Sequence, residues 1–144
     1  MNKIRSLIRR LLLSHATAEE IAQGFALGFF IAMIPTTIGF HTSMALGLCL
    51  LMRKNKIATL IGVWMVNPLT MIPLYYLAFL IGKFVLQYHN LVWNLQNLEQ
   101  LKHLGAKFLI ALTVGGSLVG LAGGALFYGI IRTFYPLLKN KMRS

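Results

Sequence analysis

Acidic residues are nearly absent from this chain. Its 144 residues include no aspartate and three glutamates, Glu19, Glu20 and Glu99, all outside the apolar blocks. That removes paired-carboxylate acid–base catalysis and a carboxylate-lined metal site. Cys49 is the only cysteine, which excludes an intramolecular disulfide framework and a thiolate cluster. His15, His41, His89 and His103 show no metal-ligand spacing such as HExxH. A triad built on His41 and Ser43 would lack an intramembrane acid to orient the imidazole. No enzyme, no metal and no cofactor is therefore expected. A cleavable signal peptide is not expected either, because Arg9 and Arg10 interrupt the early apolar residues.

What the chain has instead is apolar length and positive charge. It is 57% hydrophobic and 12% charged, against about half and a quarter for soluble domains. The net charge of +11 is segregated. Lys3, Arg5, Arg9 and Arg10 precede the first apolar block, Arg53, Lys54 and Lys56 follow it, and Arg132, Lys139, Lys141 and Arg143 close the chain. Basic residues flanking apolar blocks are explained by membrane topology and anionic headgroups, so nucleic acid is not the expected partner.

Residues 1–16 form a basic stretch in which Ile4, Leu7, Ile8 and Leu11 share one helical face, as in an interfacial helix. Residues 17–131 form the expected membrane domain. Thr17-Ala-Glu-Glu20 has the spacing of a capping box, so a helix should begin near Ala18. The first block, residues 21–52, has 32 residues without a charge. As one helix it would reach about 48 Å, against a hydrocarbon core of about 30 Å. A break near Pro35 and Gly39 divides it into halves too short to span, which suits a re-entrant hairpin. The second block, 57–82, is broken at Asn67-Pro68, with Pro73 as a further break. Residues 83–107 form a connector, with Leu91, Leu95 and Leu98 at helical spacing beside Tyr88 and Trp93, as in an interfacial helix. Residues 108–131 form an uncharged transmembrane helix without proline, and 132–144 a basic tail.

Charge sets the expected orientation. The N-terminus, the Arg53–Lys56 loop and the tail prefer the cytoplasm, so the second block crosses outward and the third returns. An alternative makes both early blocks hairpins, which leaves the basic tail outside. Small residues recur at four-residue spacing: Gly24 and Gly28; Gly39, Ser43 and Gly47; Ala58 and Gly62; Ala78 and Gly82; and Gly116, Gly120 and Gly124. In lipid such residues let backbones approach, which argues for glycine-rich packing, and the last stripe is also a candidate for self-association.

The polar residues cluster at the two breaks. Thr36, Thr37 and His41 lie at the first, Asn67 and Thr70 at the second, with Pro35, Gly39, Pro68 and Pro73 as the breaking residues. Asn is a preferred N-cap and Pro a preferred first helical residue. Two readings stay open. Either these side chains only cap helix ends, or two half-helix N-termini present positive dipoles to an anion, as in transporters with broken helices.

The run from Ala18 to Gly82 resembles the bacterial membrane family of domain of unknown function 2062. The resemblance rests on Gly28, Pro35, Gly39, Asn55, Trp64, Asn67, Pro68, Thr70, Pro73 and Tyr75. His41 departs from it, standing where the family more often has glutamine. The resemblance implies a multi-pass protein of the bacterial inner membrane and supplies no activity. The expected fold is thus an all-α integral membrane protein, made of one or more re-entrant or broken hairpins and transmembrane helices, with both termini cytoplasmic. The expected function is transport or flipping of an anionic, lipid-phosphate-like substrate. The alternative is a non-transporting scaffold or accessory subunit. Expected partners are anionic membrane lipids and either further copies of the chain or another membrane protein.

Overall fold

The computed structural model describes residues 16–35, 40–89 and 98–141, the last segment with side chains from 105 to 137. The basic stretch before Ala16, the residues Thr36, Thr37 and Gly39, and most of the connector lie outside the described residues. The chain is all-helical where described: α1 (Ala18–Ala32), α2 (Phe40–Leu51), α3 (Lys56–Met65), α4 (Pro68–Val85) and α5 (Leu98–Lys141).

Each start has a local cause. The Thr17 hydroxyl accepts from the Glu20 N–H while Glu20 accepts from the Thr17 N–H, the reciprocal capping box expected at Ala18. Asn55 caps α3 through Ala58 N–H at 3.0 Å. Asn67 caps α4, and Pro68, which has no N–H to lose, is its first residue. The ends of α2 and α4 share another device. Arg53 and Gln87 adopt left-handed φ of 53° and 56°. The N–H groups of Lys54 and Tyr88 then reach back to the carbonyls of Cys49 and Lys83 at 2.9 and 3.0 Å, the pattern of a Schellman turn without glycine.

Pro73 corrects an expectation. It lies inside α4 and does not break it. As the sixth residue it forgoes only the bond to the Leu69 carbonyl, one residue into the helix. The last helix also outruns its uncharged block at both ends, because a packed helix continues into polar sequence that hydropathy alone does not mark.

Backbone contacts give the directions. Gly24 approaches Asn55 and Thr59, and Gly28 approaches Thr59 and Val63, so α1 and α3 are parallel. Along α5, Gly124 meets Ala26 and Gly116 meets Met33, so α5 is antiparallel to α1. Gly82 meets Ala111 and Gly115 meets Ala78, so α5 is antiparallel to α4 as well. α1 and α4 therefore share α5 end to end, one on each half of its length. α2 returns beside α3, with Ala45 packed among Ile31, Ala32 and Val63. α1 and α2 thus form a hairpin whose arms, of 15 and 12 residues, are about 22 and 18 Å long.

Approach at these crossings is close. A Cβ on Gly115 would stand 1.7 Å from the Ala78 carbonyl oxygen, and one on Gly28 would stand 2.1 Å from that of Thr59. The stripe Gly116, Gly120 and Gly124 faces Met33, just past α1, and Phe30 and Ala26 of α1, so it packs within the chain. Gly47, on α2, meets nothing within 4 Å and contributes no crossing.

Among the described residues two helices are long and apolar enough to cross a membrane, Pro68–Val85 and Gly105–Leu137. Only 22% of the first, and 39% of the most apolar window of the second, is buried inside the protein. A soluble core helix would be mostly buried. Leu69, Ile72 and Phe84 on α4 and Leu121, Leu126 and Leu137 on α5 are all more than half exposed.

Candidate functional site

The helix directions bring four helix ends to one level. α1 and α3 end there, and α2 and α4 begin there. Val66, just past α3, packs against both buried clusters, one containing Ile31 and Ala32, the other Met33 and Tyr75. The polar groups at this junction mostly serve terminal carbonyls, which have no partners within their own helices.

His41 Nε2 lies 2.7 Å from the Ile34 carbonyl oxygen. A carbonyl only accepts, so Nε2 carries the proton, and a neutral ring has its acceptor at Nδ1. The Tyr75 hydroxyl, buried, donates to the Ala32 carbonyl at 3.1 Å. The Thr70 hydroxyl lies 2.8 Å from the Met65 carbonyl, the last residue of α3, and 3.0 Å from the Asn67 N–H, from which it accepts. The backbone at the α3–α4 break is thereby closed from both sides.

The first turn of α4 is likewise occupied. Asn67 Oδ1 accepts from Leu69 N–H at 2.9 Å and Thr70 N–H at 3.1 Å, and the Met71 N–H bonds to the Asn67 carbonyl at 2.7 Å. Pro68 has no N–H. Every donor of that turn has a partner inside the chain, so an anion at this helix start would have to displace Asn67. Asn67 itself is exposed and Thr70 half-buried. Of the residues expected at the first break, Pro35 and His41 are described, and both are half-buried.

A second feature runs along α1 from Gln23 to Phe30, and sequence spacing did not indicate it. Between α1 and α5 runs a groove of about 480 Å³, walled by Ala26, Leu27, Phe30, Leu121 and Ala125. Gln23, Lys54 and Tyr128 stand at one end. There the Lys54 ammonium donates to Gln23 Oε1 at 2.5 Å, and Gln23 Nε2 donates to Glu19 at 3.2 Å. Tyr128 and Arg132 extend the chain at longer range, with 3.5 Å from the Tyr128 hydroxyl to Glu19 and 3.4 Å from Arg132 to that hydroxyl. Gln23 and Lys54 are 31 positions apart, and no local pattern links them.

One buried polar cluster is structural. Thr59, fully buried, donates its hydroxyl between the Asn55 carbonyl at 3.0 Å and the Cys49 sulfur at 3.3 Å. Among the described residues no three His, Cys, Asp or Glu side chains are grouped to hold a metal ion.

Fold and site together define an all-helical protein with two helices apolar enough to cross a membrane and a junction of interrupted helices. The chain belongs to the family described as "Uncharacterized protein conserved in bacteria (DUF2062)", which matches residues 1–144. No curated protein and no solved structure matches it.

Proposed function

We propose that this is a multi-pass protein of the bacterial inner membrane that moves an anionic, lipid-phosphate-like substrate, with the four-ended helix junction as the path. The membrane part is supported by the exposed leucines of α4 and α5, which water would disfavour and acyl chains would cover. It is supported too by the hydroxyls of Thr113, Ser117 and Thr133. Each donates to the carbonyl four residues back, at 2.7 to 2.9 Å, and so needs no water. The α1–α2 hairpin, with arms shorter than the hydrocarbon core, enters and leaves on the cytoplasmic side in this arrangement. α3 with α4 crosses outward and α5 returns.

The observation that carries transport is the meeting of two helix starts and two helix ends at one depth. Interrupted helices at membrane depth persist where they line a path or are buried in protein. A second reading is favoured by the complete capping of α4 by Asn67. With no backbone donor left over in that turn, the break only shapes the bundle on this reading, and the protein is a scaffold or accessory subunit rather than a carrier. Reconstitution separates the two. Vesicles containing the purified protein and a fluorescent phosphatidylglycerol or polyprenyl phosphate are treated with an impermeant quencher. Transport predicts loss of signal beyond the outer-leaflet half, faster than in protein-free vesicles. Equal rates for both probes with and without protein leave the scaffold.

A further inference from the structure

The groove between α1 and α5 has its polar mouth, at Gln23 and Lys54, turned away from the junction and runs along α1 as far as Phe30. We propose that it holds one membrane phospholipid, with an acyl chain between the helices and the phosphate on Lys54. The inference rests on the membrane reading and not on transport.

Three observations converge. The first is shape. Ala26, Gly124 and Ala125 carry little or no side chain, and at Gly124 the helices touch, since an added Cβ would lie 3.3 Å from the Ala26 carbonyl oxygen. That contact closes the floor, while Leu27, Phe30 and Leu121 raise the walls. From Gln23 to Phe30 the groove follows eight residues of α1, about 10 Å at helical rise. Its size lies within the range of pockets that hold small ligands, about 300–1,000 Å³.

The second is charge. Lys54 is half-buried at the mouth, and its ammonium donates to the neutral oxygen of Gln23. An ammonium has three donors, so two remain for an anion. The charges joined to it by hydrogen bonds are Glu19, reached by Gln23 and Tyr128, and Arg132, which reaches the Tyr128 hydroxyl. Within that network two cations stand against one carboxylate, a net positive charge. A free phosphate would use Lys54 and leave the apolar walls empty. A lipid without phosphate would fill the walls and leave Lys54 without a counter-charge.

The third is placement. Leu121 and Ala125 of α5 line the groove and are themselves exposed, so the groove opens where acyl chains would lie, and a lysine stem can lie on apolar surface while its ammonium reaches a headgroup.

The test uses the full chain, delipidated in detergent and titrated by native mass spectrometry. The probes are dioleoylphosphatidylglycerol, dioleoylglycerol, which lacks the phosphate, and glycerol 3-phosphate, which lacks the chains. The phospholipid should bind about fivefold more tightly than the diacylglycerol, the effect of one cation near a membrane surface. Glycerol 3-phosphate should not bind. Lys54→Gln should reduce phospholipid binding to the diacylglycerol level, and Lys54→Arg should retain it. Ala125→Trp, at an exposed position that fills the groove, should weaken both lipids, with Ala125→Leu as the milder filling should the tryptophan variant not fold. The site is overturned by any of three results: unchanged phospholipid binding in well-folded Lys54→Gln and in the folded groove-filling variant, glycerol 3-phosphate binding as well as the phospholipid, or a lipid-free dimer that the filling substitution dissociates. A protein that binds phospholipid here yet moves none in vesicles keeps the groove and loses transport. One that moves lipid with its groove variants unaffected loses the groove alone.

Discussion

The Tyr75 hydroxyl reaches the carbonyl oxygen of Ala32, 43 positions earlier, and this 3.1 Å bond marks where α4 takes over from α1 along α5. Tyr75 is 7% exposed, so Tyr75→Phe would leave a buried carbonyl without its partner. An orphaned buried acceptor costs about 1–3 kcal/mol, although bonds between membrane helices average nearer 0.6 kcal/mol. A loss of about 1 kcal/mol in a denaturant titration of the detergent-solubilised protein is therefore expected. An unchanged midpoint would mean that the bond does not fix this seam.

The glycine crossings separate by position. Gly115→Ala places a methyl 1.7 Å from the Ala78 carbonyl oxygen, and backbone cannot yield as a flexible side chain does. Overpacking of this kind costs about 1–3 kcal/mol, and more where α4 must move. Gly129, on the same helix, meets nothing within 4 Å. Gly129→Ala should be neutral or gain up to about 1 kcal/mol from helix propensity. Thermal melts of the two variants check this, and equal tolerance would remove α4–α5 contact from the account.

Some of this was legible in the residues and some was not. Thr17 with Glu20, and Asn67 with Pro68, announce their helix starts because capping is local, settled within four residues. The partners of Tyr75 and Lys54 were out of reach, since contacts over 43 and 31 positions depend on how the helices pack. The same spacing rule that marks Gly24 and Gly28 also marks Gly47, which packs on nothing. Small residues permit a crossing, and only the partner's position decides whether one occurs. Pro73 misleads for a related reason: the cost of a helical proline depends on which carbonyl it orphans.

The left-handed residues give a test through backbone strain. Gln87 holds φ at 56°, where a side chain costs about 1–2 kcal/mol relative to glycine. Glycine there also widens the unfolded ensemble, which returns about 0.4–1 kcal/mol of that gain. Gln87→Gly should thus stabilise by several tenths of a kcal/mol, whereas Gln87→Val should destabilise. A denaturant midpoint that falls in the glycine variant would show that the Gln87 side chain makes a contact outweighing its strain.

The proposed topology makes a labelling prediction. Arg53 and His89 lie at opposite ends of the α3–α4 segment, and both are exposed. Asn55 makes a poor reporter position because its side chain caps α3. In a Cys49→Ala background, which removes the buried native thiol, an impermeant thiol reagent added to whole cells should label His89→Cys. It should reach Arg53→Cys only after the membrane is opened. External labelling at Arg53 would place the α1–α2 hairpin on the other side.

Asn67 decides between the two functional readings. Its Oδ1 holds the N–H groups of Leu69 and Thr70, so any replacement that accepts at that position should keep α4 started. Asn67→Asp and Asn67→Ser should preserve folding, while Asn67→Ala should cost about 1 kcal/mol. Transport through the junction adds a demand that capping does not make. An ionised carboxylate at this position would place negative charge beside the path of an anion, so Asn67→Asp should slow lipid movement in the vesicle assay while Asn67→Ser retains it. Burial in lipid favours a neutral carboxyl, so the assay is run across pH, and the penalty should grow as pH rises and the carboxyl ionises. Where capping alone matters, any loss of movement tracks loss of folding and charge carries no penalty of its own. A well-folded Asn67→Asp protein, shown to be ionised and moving lipid at the wild-type rate, would end the anion path at this break.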